Sequence, residues 1–172
     1  MASNLAHAAE TKVAVTFSGG HEIAKNDFGR PIPLMAAALG VKPEVFREAF
    51  SGVTPAKGRG PTGDEARKNK QALMKVLAPH GVTNERMDEV ANYYRFRPQD
   101  KELWPTTPAK AEAIVENGKI KKIVILEPGT GYCSQPTVEV KGFPDAKFNV
   151  ELALSKELKK NGGVKAVELA DK

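Results

Sequence analysis

A degenerate repeat in the last third of the chain is the sequence feature that most constrains its fold. One copy spans residues 109–126 and the other spans residues 146–169, and in each copy an Asn-Gly pair separates stretches of alternating apolar residues. Asn-Gly is the preferred pair for a type I′ hairpin turn, because both central residues of that turn adopt a positive φ. The repeat therefore predicts a small antiparallel β unit that pairs with its own copy.

The chain before this repeat combines one strand pattern with several helical patterns. Residues 12–17 alternate polar and apolar side chains, which predicts a strand with Val13, Val15 and Phe17 facing a core. Apolar residues then recur at helical spacing in residues 31–39, 43–50, 62–78 and 83–94. We expect an α+β protein with an N-terminal strand, about four short helices and a C-terminal antiparallel β-sheet built from the degenerate repeat.

Prolines mark the change from helical to strand patterns. Pro105 and Pro108 forbid regular helix between them, so we place a boundary there. Residues 12–104 form a mostly helical lobe and residues 105–172 an antiparallel β lobe, and 41% hydrophobic residues suffice for one shared core. Residues 1–11 are interpreted as a flexible N-terminus or the remnant of a trimmed export signal, because they lack the apolar stretch of an intact one.

Charge and cysteine content exclude several classes of protein. The single cysteine, Cys133, rules out an intramolecular disulfide framework and a metal site built from several cysteines. No apolar run approaches the roughly 20 residues that span a bilayer, so we expect no membrane span. The net charge of +5 is spread along the chain, which argues against nucleic acid as the main ligand.

The segment from Glu127 to Val138 carries a recognisable motif. With Gly129, Gly131, Tyr132 and Pro136 it resembles the G-x-G-Y-x-x-x-P-x-V β modules that occur in tandem in bacterial exported, cell-surface and phage-associated proteins. The resemblance implies a structural unit and no activity. Since Cys133 stands where such modules usually carry threonine, the resemblance implies a packed or half-exposed thiol that is not a nucleophile.

The N-terminal part carries a second, weaker resemblance. Residues 18–22 and 27–31 are similar to uncharacterised exported proteins of planctomycetes and related bacteria. This resemblance implies a periplasmic or secreted location, and a cytoplasmic location stays open.

The loop after the first strand holds the residues best suited to a metal site. His21, Glu22 and Asp27, joined by His80, offer an imidazole and carboxylates for a divalent metal or for acid–base catalysis. Adjacent residues of an extended loop point in opposite directions, which opposes this assignment. The alternative is structural: Asp27 pairs with Arg30, and His21 bonds a nearby carbonyl.

Aromatic and basic residues alternate near the end of the helical part. Tyr93, Arg95, Arg97 and Trp104 could form a stacking surface for a sugar, a peptide or single-stranded nucleic acid. The alternative places Tyr94 and Phe96 at the junction between helices and sheet. This segment and the loop of residues 18–31 are the predicted ligand or partner surface.

Residues 34–50 resemble a helix-turn-helix, with a small-residue helix, a glycine turn and a second helix. Arg47 and Arg59, with the arginines at positions 95 and 97, would then contact nucleic acid. Glu44 and Glu48 oppose this reading, because carboxylates repel phosphates. Simple packing of two helices is the alternative.

We therefore expect a non-catalytic binding or structural module of a bacterial exported protein, with no cofactor. Its partner is another protein or a second copy of the chain, and a small-molecule ligand is also compatible. Two alternatives remain: a metal-dependent enzyme centred on His21 and Glu22, and a nucleic-acid-binding protein that uses residues 34–50.

Overall fold

The computed structural model describes residues 9–54, 60–95 and 101–171. It confirms an α+β fold with helices and antiparallel strands. The helices of the described residues are α1 (Ile32–Leu39), α2 (Pro43–Ser51), α3 (Gly63–Leu77) and α4 (Asn84–Tyr93). The strands are β1 (Thr11–Ser18), β2 (Lys110–Glu116), β3 (Lys119–Glu127), β4 (Thr137–Val140), β5 (Phe148–Ala153) and β6 (Gly163–Leu169).

The N-terminal strand lies inside the sheet formed by the C-terminal part. The four-stranded sheet has the order β3-β2-β1-β4, and each neighbouring pair is antiparallel. Val13 of β1 lies opposite Ala113 of β2, and Phe17 lies opposite Val138 of β4. The two lobes that the sequence predicted therefore share one sheet.

Each copy of the repeat forms a hairpin, but the two hairpins belong to different sheets. In the first copy Asn117 and Gly118 have φ values of 53° and 71°, which confirms the predicted I′-type geometry. In the second copy Gly162 has a φ of 76°, whereas Asn161 keeps a negative φ and is buried. The expectation that the copies pair directly is wrong, because β1 occupies the position beside β2 and β5 pairs only with β6 among the described strands.

The β part has its own core between the sheet and the second hairpin. Side chains on one face of the four-stranded sheet, among them Val15 and Phe17, pack against the β5–β6 hairpin. Burying such aliphatic side chains contributes about 1.5–3 kcal/mol each, which holds the hairpin on the sheet. The residues at the centre of this core are Ala109, Tyr132, Val138, Val150, Val164 and Val167.

The helices pack around a separate apolar cluster that includes a residue predicted to be on the surface. Its fully buried side chains include Leu34, Phe46, Leu77 and Val90, together with Trp104 at 2% exposure. These helices begin where the sequence indicates. At the start of α3, for example, Thr62 and Glu65 form a reciprocal capping box.

The Gly-x-Gly-Tyr segment connects the two cores. The Tyr132 hydroxyl oxygen accepts a hydrogen bond of 3.0 Å from the Ala109 backbone N–H, and the Trp104 indole N–H donates to the Gly131 carbonyl oxygen at 2.8 Å. Gly129 has a φ of 67°, and a Cβ atom there would lie 2.5 Å from the Thr107 carbonyl oxygen. Only glycine fits this close approach.

Asn161 is the second connection between helices and sheet. This fully buried amide donates from Nδ2 to the Leu34 carbonyl oxygen at 2.8 Å and to the Tyr94 hydroxyl oxygen at 2.9 Å. Its Oδ1 accepts a hydrogen bond of 2.9 Å from the Ser155 backbone N–H. A single side chain thus links α1, the end of α4 and the loop between β5 and β6.

Candidate functional site

A cleft of about 430 Å³ lies between the loop after β1 and the end of α2. We refer to it as the Arg30 cleft. It lies on the predicted ligand-binding loop and combines apolar walls with two guanidinium groups. Its lining residues are Asn26, Asp27, Phe28, Arg30, Ile32, Arg47, Phe50, Ser51 and Val53.

Asp27 and Arg47 form a bidentate ion pair in this cleft. Asp27 is 4% exposed, and its carboxylate oxygens accept hydrogen bonds from Arg47 Nε at 2.8 Å and from Arg47 Nη2 at 3.1 Å. These hydrogen bonds raise the pKa of the Arg47 guanidinium. The predicted pairing of Asp27 with Arg30 is therefore wrong, because α2 places Arg47 closer. Asp27 is occupied and does not offer a free carboxylate to a ligand.

Arg30 is a half-buried cation with no carboxylate partner among the described residues. Its guanidinium carbon lies 4.2 Å from the centre of the Phe50 ring, in a cation–π contact. Burial lowers the pKa of this guanidinium, but arginine stays protonated in proteins. The cleft therefore carries a positive charge that no carboxylate of the described residues neutralises.

Phe28 stands at the mouth of the cleft and is 78% exposed. It has a φ of 49°, in the left-handed region, where a non-glycine residue costs roughly 1–2 kcal/mol. Gly29 continues the turn, and the Arg30 backbone N–H closes it with a 3.1 Å hydrogen bond to the Asp27 carbonyl oxygen. An exposed aromatic ring on a strained turn is unusual for a loop with only a structural role. The sequence analysis did not single out Phe28 as a ligand-binding residue. The position of an aromatic residue between Asp27 and Gly29 was the signal in the sequence that could have indicated it.

His21 lies away from the cleft, at the junction between the two cores. Its ring stacks on Tyr132, with ring centres 5.1 Å apart, and is tilted against Trp104 at 6.1 Å. The buried Nε2 atom has no hydrogen-bond partner in the part of the chain that the structure describes, and burial lowers the pKa of the imidazole. Packing against aromatic rings thus takes the place of the predicted carbonyl bond for this nitrogen.

Glu22 serves a structural role in the same loop. Its carboxylate accepts hydrogen bonds from the Ser134 hydroxyl and, at 2.9 Å, from the Gly20 backbone N–H. The Ser134 hydrogen bond is the main reason that the pKa of Glu22 is lowered. The adjacent Cys133 is half-buried, and burial raises its pKa to about 12, so its thiol stays protonated and is a poor nucleophile.

The four predicted metal ligands are not brought together. Asp27 is bound to Arg47, and His80 is exposed at the end of the 3-10 turn after α3. His21 and Glu22 have the separate contacts given above. Within residues 9–54, 60–95 and 101–171 there is no group of three or more histidine, cysteine or carboxylate residues that could hold a metal ion. This geometry gives no support to the metal-dependent enzyme.

The predicted aromatic-basic surface is only partly present. Tyr93 and the exposed Arg95 line a shallow depression beside Leu103. Trp104 also borders this depression, but its side chain is buried and bonded to Gly131, so its assignment to a stacking surface is wrong. The alternative placed Tyr94 and Phe96 at the helix–sheet junction. Tyr94 is buried there and its hydroxyl oxygen accepts a hydrogen bond from Asn161, whereas Phe96 lies outside the described residues. Arg97 lies outside the described residues.

The helix-turn-helix segment is a packed pair of helices. Phe46 and Ala49 of α2 are buried in the helical core, and Arg47 is bound to Asp27. Arg59, a further proposed contact to nucleic acid, lies outside the described residues. The packing of α1 and α2 in the core is the arrangement that the alternative interpretation predicted.

Comparison with known proteins found no match to a family model, to a curated protein or to a solved structure. In the described part of the chain, no helix combines the length and the apolar character needed to cross a membrane.

Proposed function

We propose that the chain is a non-catalytic binding module whose ligand occupies the Arg30 cleft. The ligand is a carboxylate attached to an apolar body, such as an aromatic or aliphatic acid. The observation that carries this proposal is Arg30: a half-buried guanidinium without a carboxylate partner among the described residues, at the side of an apolar cleft.

Charge and shape favour this ligand class. Asp27 and Arg47 neutralise one another, so Arg30 supplies the net charge of the cleft. A guanidinium donates two parallel hydrogen bonds to a carboxylate, and charged hydrogen bonds contribute about 1.5–3 kcal/mol. Phe28, Phe50 and Val53 provide the apolar contact for the rest of the ligand.

A binding role also agrees with the state of three potentially reactive side chains, of which only Asp27 lines the cleft. Glu22 is held by Ser134, Cys133 remains a thiol, and Asp27 is paired with Arg47. None of these three side chains is free to act as a base or nucleophile on a ligand in the cleft. The placement of this module in an exported bacterial protein remains a prediction from the resemblances of the sequence.

Phenylacetate and its neutral analogue phenylacetamide test the proposal by ligand-observed NMR and isothermal titration calorimetry. A ligand of this size in such a cleft binds with a Kd on the order of 1 mM. We expect phenylacetate to bind at least about 10-fold more tightly than the amide, because only the acid neutralises Arg30. Arg30→Ala abolishes this preference, and Arg30→Lys retains part of it.

Arg95→Ala is the matched control, because it removes an exposed arginine from the other predicted surface. It should leave phenylacetate binding unchanged. Thermal melting of each variant verifies that the fold is intact. Equal affinity for acid and amide, or a loss of binding in Arg95→Ala but not in Arg30→Ala, would refute the assignment of the ligand to this cleft.

A further inference from the structure

The dipeptide Asn-Gly occurs twice in the chain, as Asn117-Gly118 and as Asn161-Gly162, and the two copies have opposite environments in the fold. In an Asn-Gly pair the side-chain amide carbon lies within reach of the next backbone nitrogen, and glycine has no side chain to block the approach. Such a pair can close a five-membered ring, which is the first step of deamidation. The surroundings of each pair decide whether the ring can form.

The Asn117-Gly118 pair is open to solvent. These two residues form the whole loop between Glu116 and Lys119, which lie opposite each other in the β2–β3 hairpin, and both loop residues are exposed. In the described part of the chain, no hydrogen bond engages the Asn117 side-chain amide or the Gly118 backbone N–H. Both reacting groups are therefore accessible to water and free to move toward each other.

The Asn161-Gly162 pair is held in place. The Asn161 amide is fully buried and makes the three hydrogen bonds that link the helices to the sheet. The Gly162 backbone N–H, which would be the attacking group, donates to the Ala153 carbonyl oxygen at 2.9 Å. Ring closure at this pair would first have to break these hydrogen bonds in a site that excludes water.

We infer that Asn117 is a site of spontaneous deamidation and that the fold protects Asn161 from the same reaction. The Gly118 backbone nitrogen attacks Asn117 Cγ, and a C–N bond forms while the Gly118 N–H proton passes to water or hydroxide. The bond from Cγ to Nδ2 breaks, and the amide nitrogen takes up a proton and leaves as ammonia. Water then opens either carbonyl of the five-membered imide, which gives aspartate or isoaspartate.

The products change the end of the β2–β3 hairpin. Isoaspartate routes the main chain through the former side chain and adds one carbon atom to a two-residue turn that the φ values of 53° at Asn117 and 71° at Gly118 now close. In the described residues β3 pairs only with β2, so no second strand holds β3 when this turn changes. The modification therefore loosens the first residues of β3 and leaves the β5–β6 hairpin intact.

Incubation of the folded chain in heavy-oxygen water at mildly alkaline pH, followed by tryptic digestion in ordinary water and mass spectrometry, tests this inference. Trypsin cleaves after lysine, so peptides 111–119 and 161–165 report the two pairs separately. The heavy isotope marks only the deamidation that precedes digestion, and chromatography separates aspartyl from isoaspartyl peptides. We expect Asn117 to deamidate at least about 100-fold faster than Asn161, because ring closure at Asn161 must first break its hydrogen bonds.

Two controls separate the effect of the fold from the effect of the dipeptide. In concentrated urea both pairs lose their surroundings, so the two rates should become similar. Asn117→Gly removes the amide but keeps a pair of residues that forms type I′ turns, so it should abolish the mass gain of peptide 111–119 without unfolding the chain. In the isoaspartyl fraction of the unaltered chain, backbone amides at the start of β3 should exchange hydrogen faster, whereas those of β5 and β6 should not change.

Three results would overturn the inference. One is a similar or faster rate at Asn161 in the folded chain. Another is an unchanged mass of peptide 111–119 from the folded chain when the urea-denatured chain gains mass in both peptides, because the hairpin would then protect Asn117. The third is an isoaspartyl fraction whose β3 amides exchange at the original rate, because the turn would then not hold the start of β3.

Discussion

Replacing Asn161 with alanine tests the connection between the helical core and the sheet. The substitution removes three hydrogen bonds in a fully buried site: those to the Leu34 carbonyl oxygen, to the Tyr94 hydroxyl oxygen and from the Ser155 backbone N–H. The three partner groups lose this bond where water cannot readily replace it. Both halves of the molecule should therefore lose stability together.

The expected magnitude follows from the number of bonds. At about 1 kcal/mol for each, Asn161→Ala lowers the free energy of unfolding by about 3 kcal/mol. For a chain of this length that corresponds to a fall of about 6–12 °C in Tm. Tyr94→Phe removes one of the same bonds and should cost about 1 kcal/mol, so the double variant should lose about 3 rather than about 4 kcal/mol.

Urea denaturation followed by the fluorescence of the single tryptophan measures these values, since Trp104 is buried beside the junction. The matched control is Asn149→Ala, which removes the same amide from an exposed position of β5 and should change stability by less than about 0.5 kcal/mol. A loss below about 1 kcal/mol in Asn161→Ala, or additive losses in the double variant, would refute the role of this amide.

Two further predictions concern His21 and Phe28. Burial lowers the pKa of His21 in the folded state, so as the pH falls the imidazole takes up a proton at a higher pH in the unfolded chain than in the folded one. The free energy of unfolding should therefore fall as the pH drops below the ordinary histidine pKa of about 6.5. His21→Phe should reduce this fall in melting curves recorded between about pH 7.5 and 5.5. Identical pH dependence in both proteins would contradict this. Phe28→Gly should raise the free energy of unfolding by up to about 1 kcal/mol, because glycine relieves the left-handed φ. The same substitution should weaken phenylacetate binding. An unchanged affinity in calorimetry would show that Phe28 does not contact the ligand.

Local features of the fold could be predicted from the sequence because their causes are local. Asn117 and Gly118 form the expected turn, since these two residues tolerate positive φ wherever they occur. Thr62 caps α3 because its hydroxyl reaches a backbone N–H only three residues away. Such signals need no knowledge of the rest of the chain.

Features that depend on distant residues could not be predicted. The alternation in residues 12–17 indicates a strand but does not name its partners, so the position of β1 between β2 and β4 was missed. Arg30 lies nearer to Asp27 in the sequence than Arg47 does. The position of α2 nevertheless makes Arg47 the residue that forms the ion pair with Asp27. Trp104 follows a basic, aromatic segment, but its indole N–H finds the Gly131 carbonyl oxygen inside the protein.

The central position of β1 has a consequence for the order of folding. Both strands that pair with β1, namely β2 and β4, follow the helical region in the chain. During synthesis β1 therefore stays unpaired until β2 and β4 have emerged from the ribosome. The helices can collapse on one another earlier, because their contacts are closer in sequence. A fragment that ends before β2 would therefore expose the side chains of Val13, Val15 and Phe17 to water. It would also leave the backbone N–H and C=O groups of β1 unpaired, and such a strand promotes aggregation.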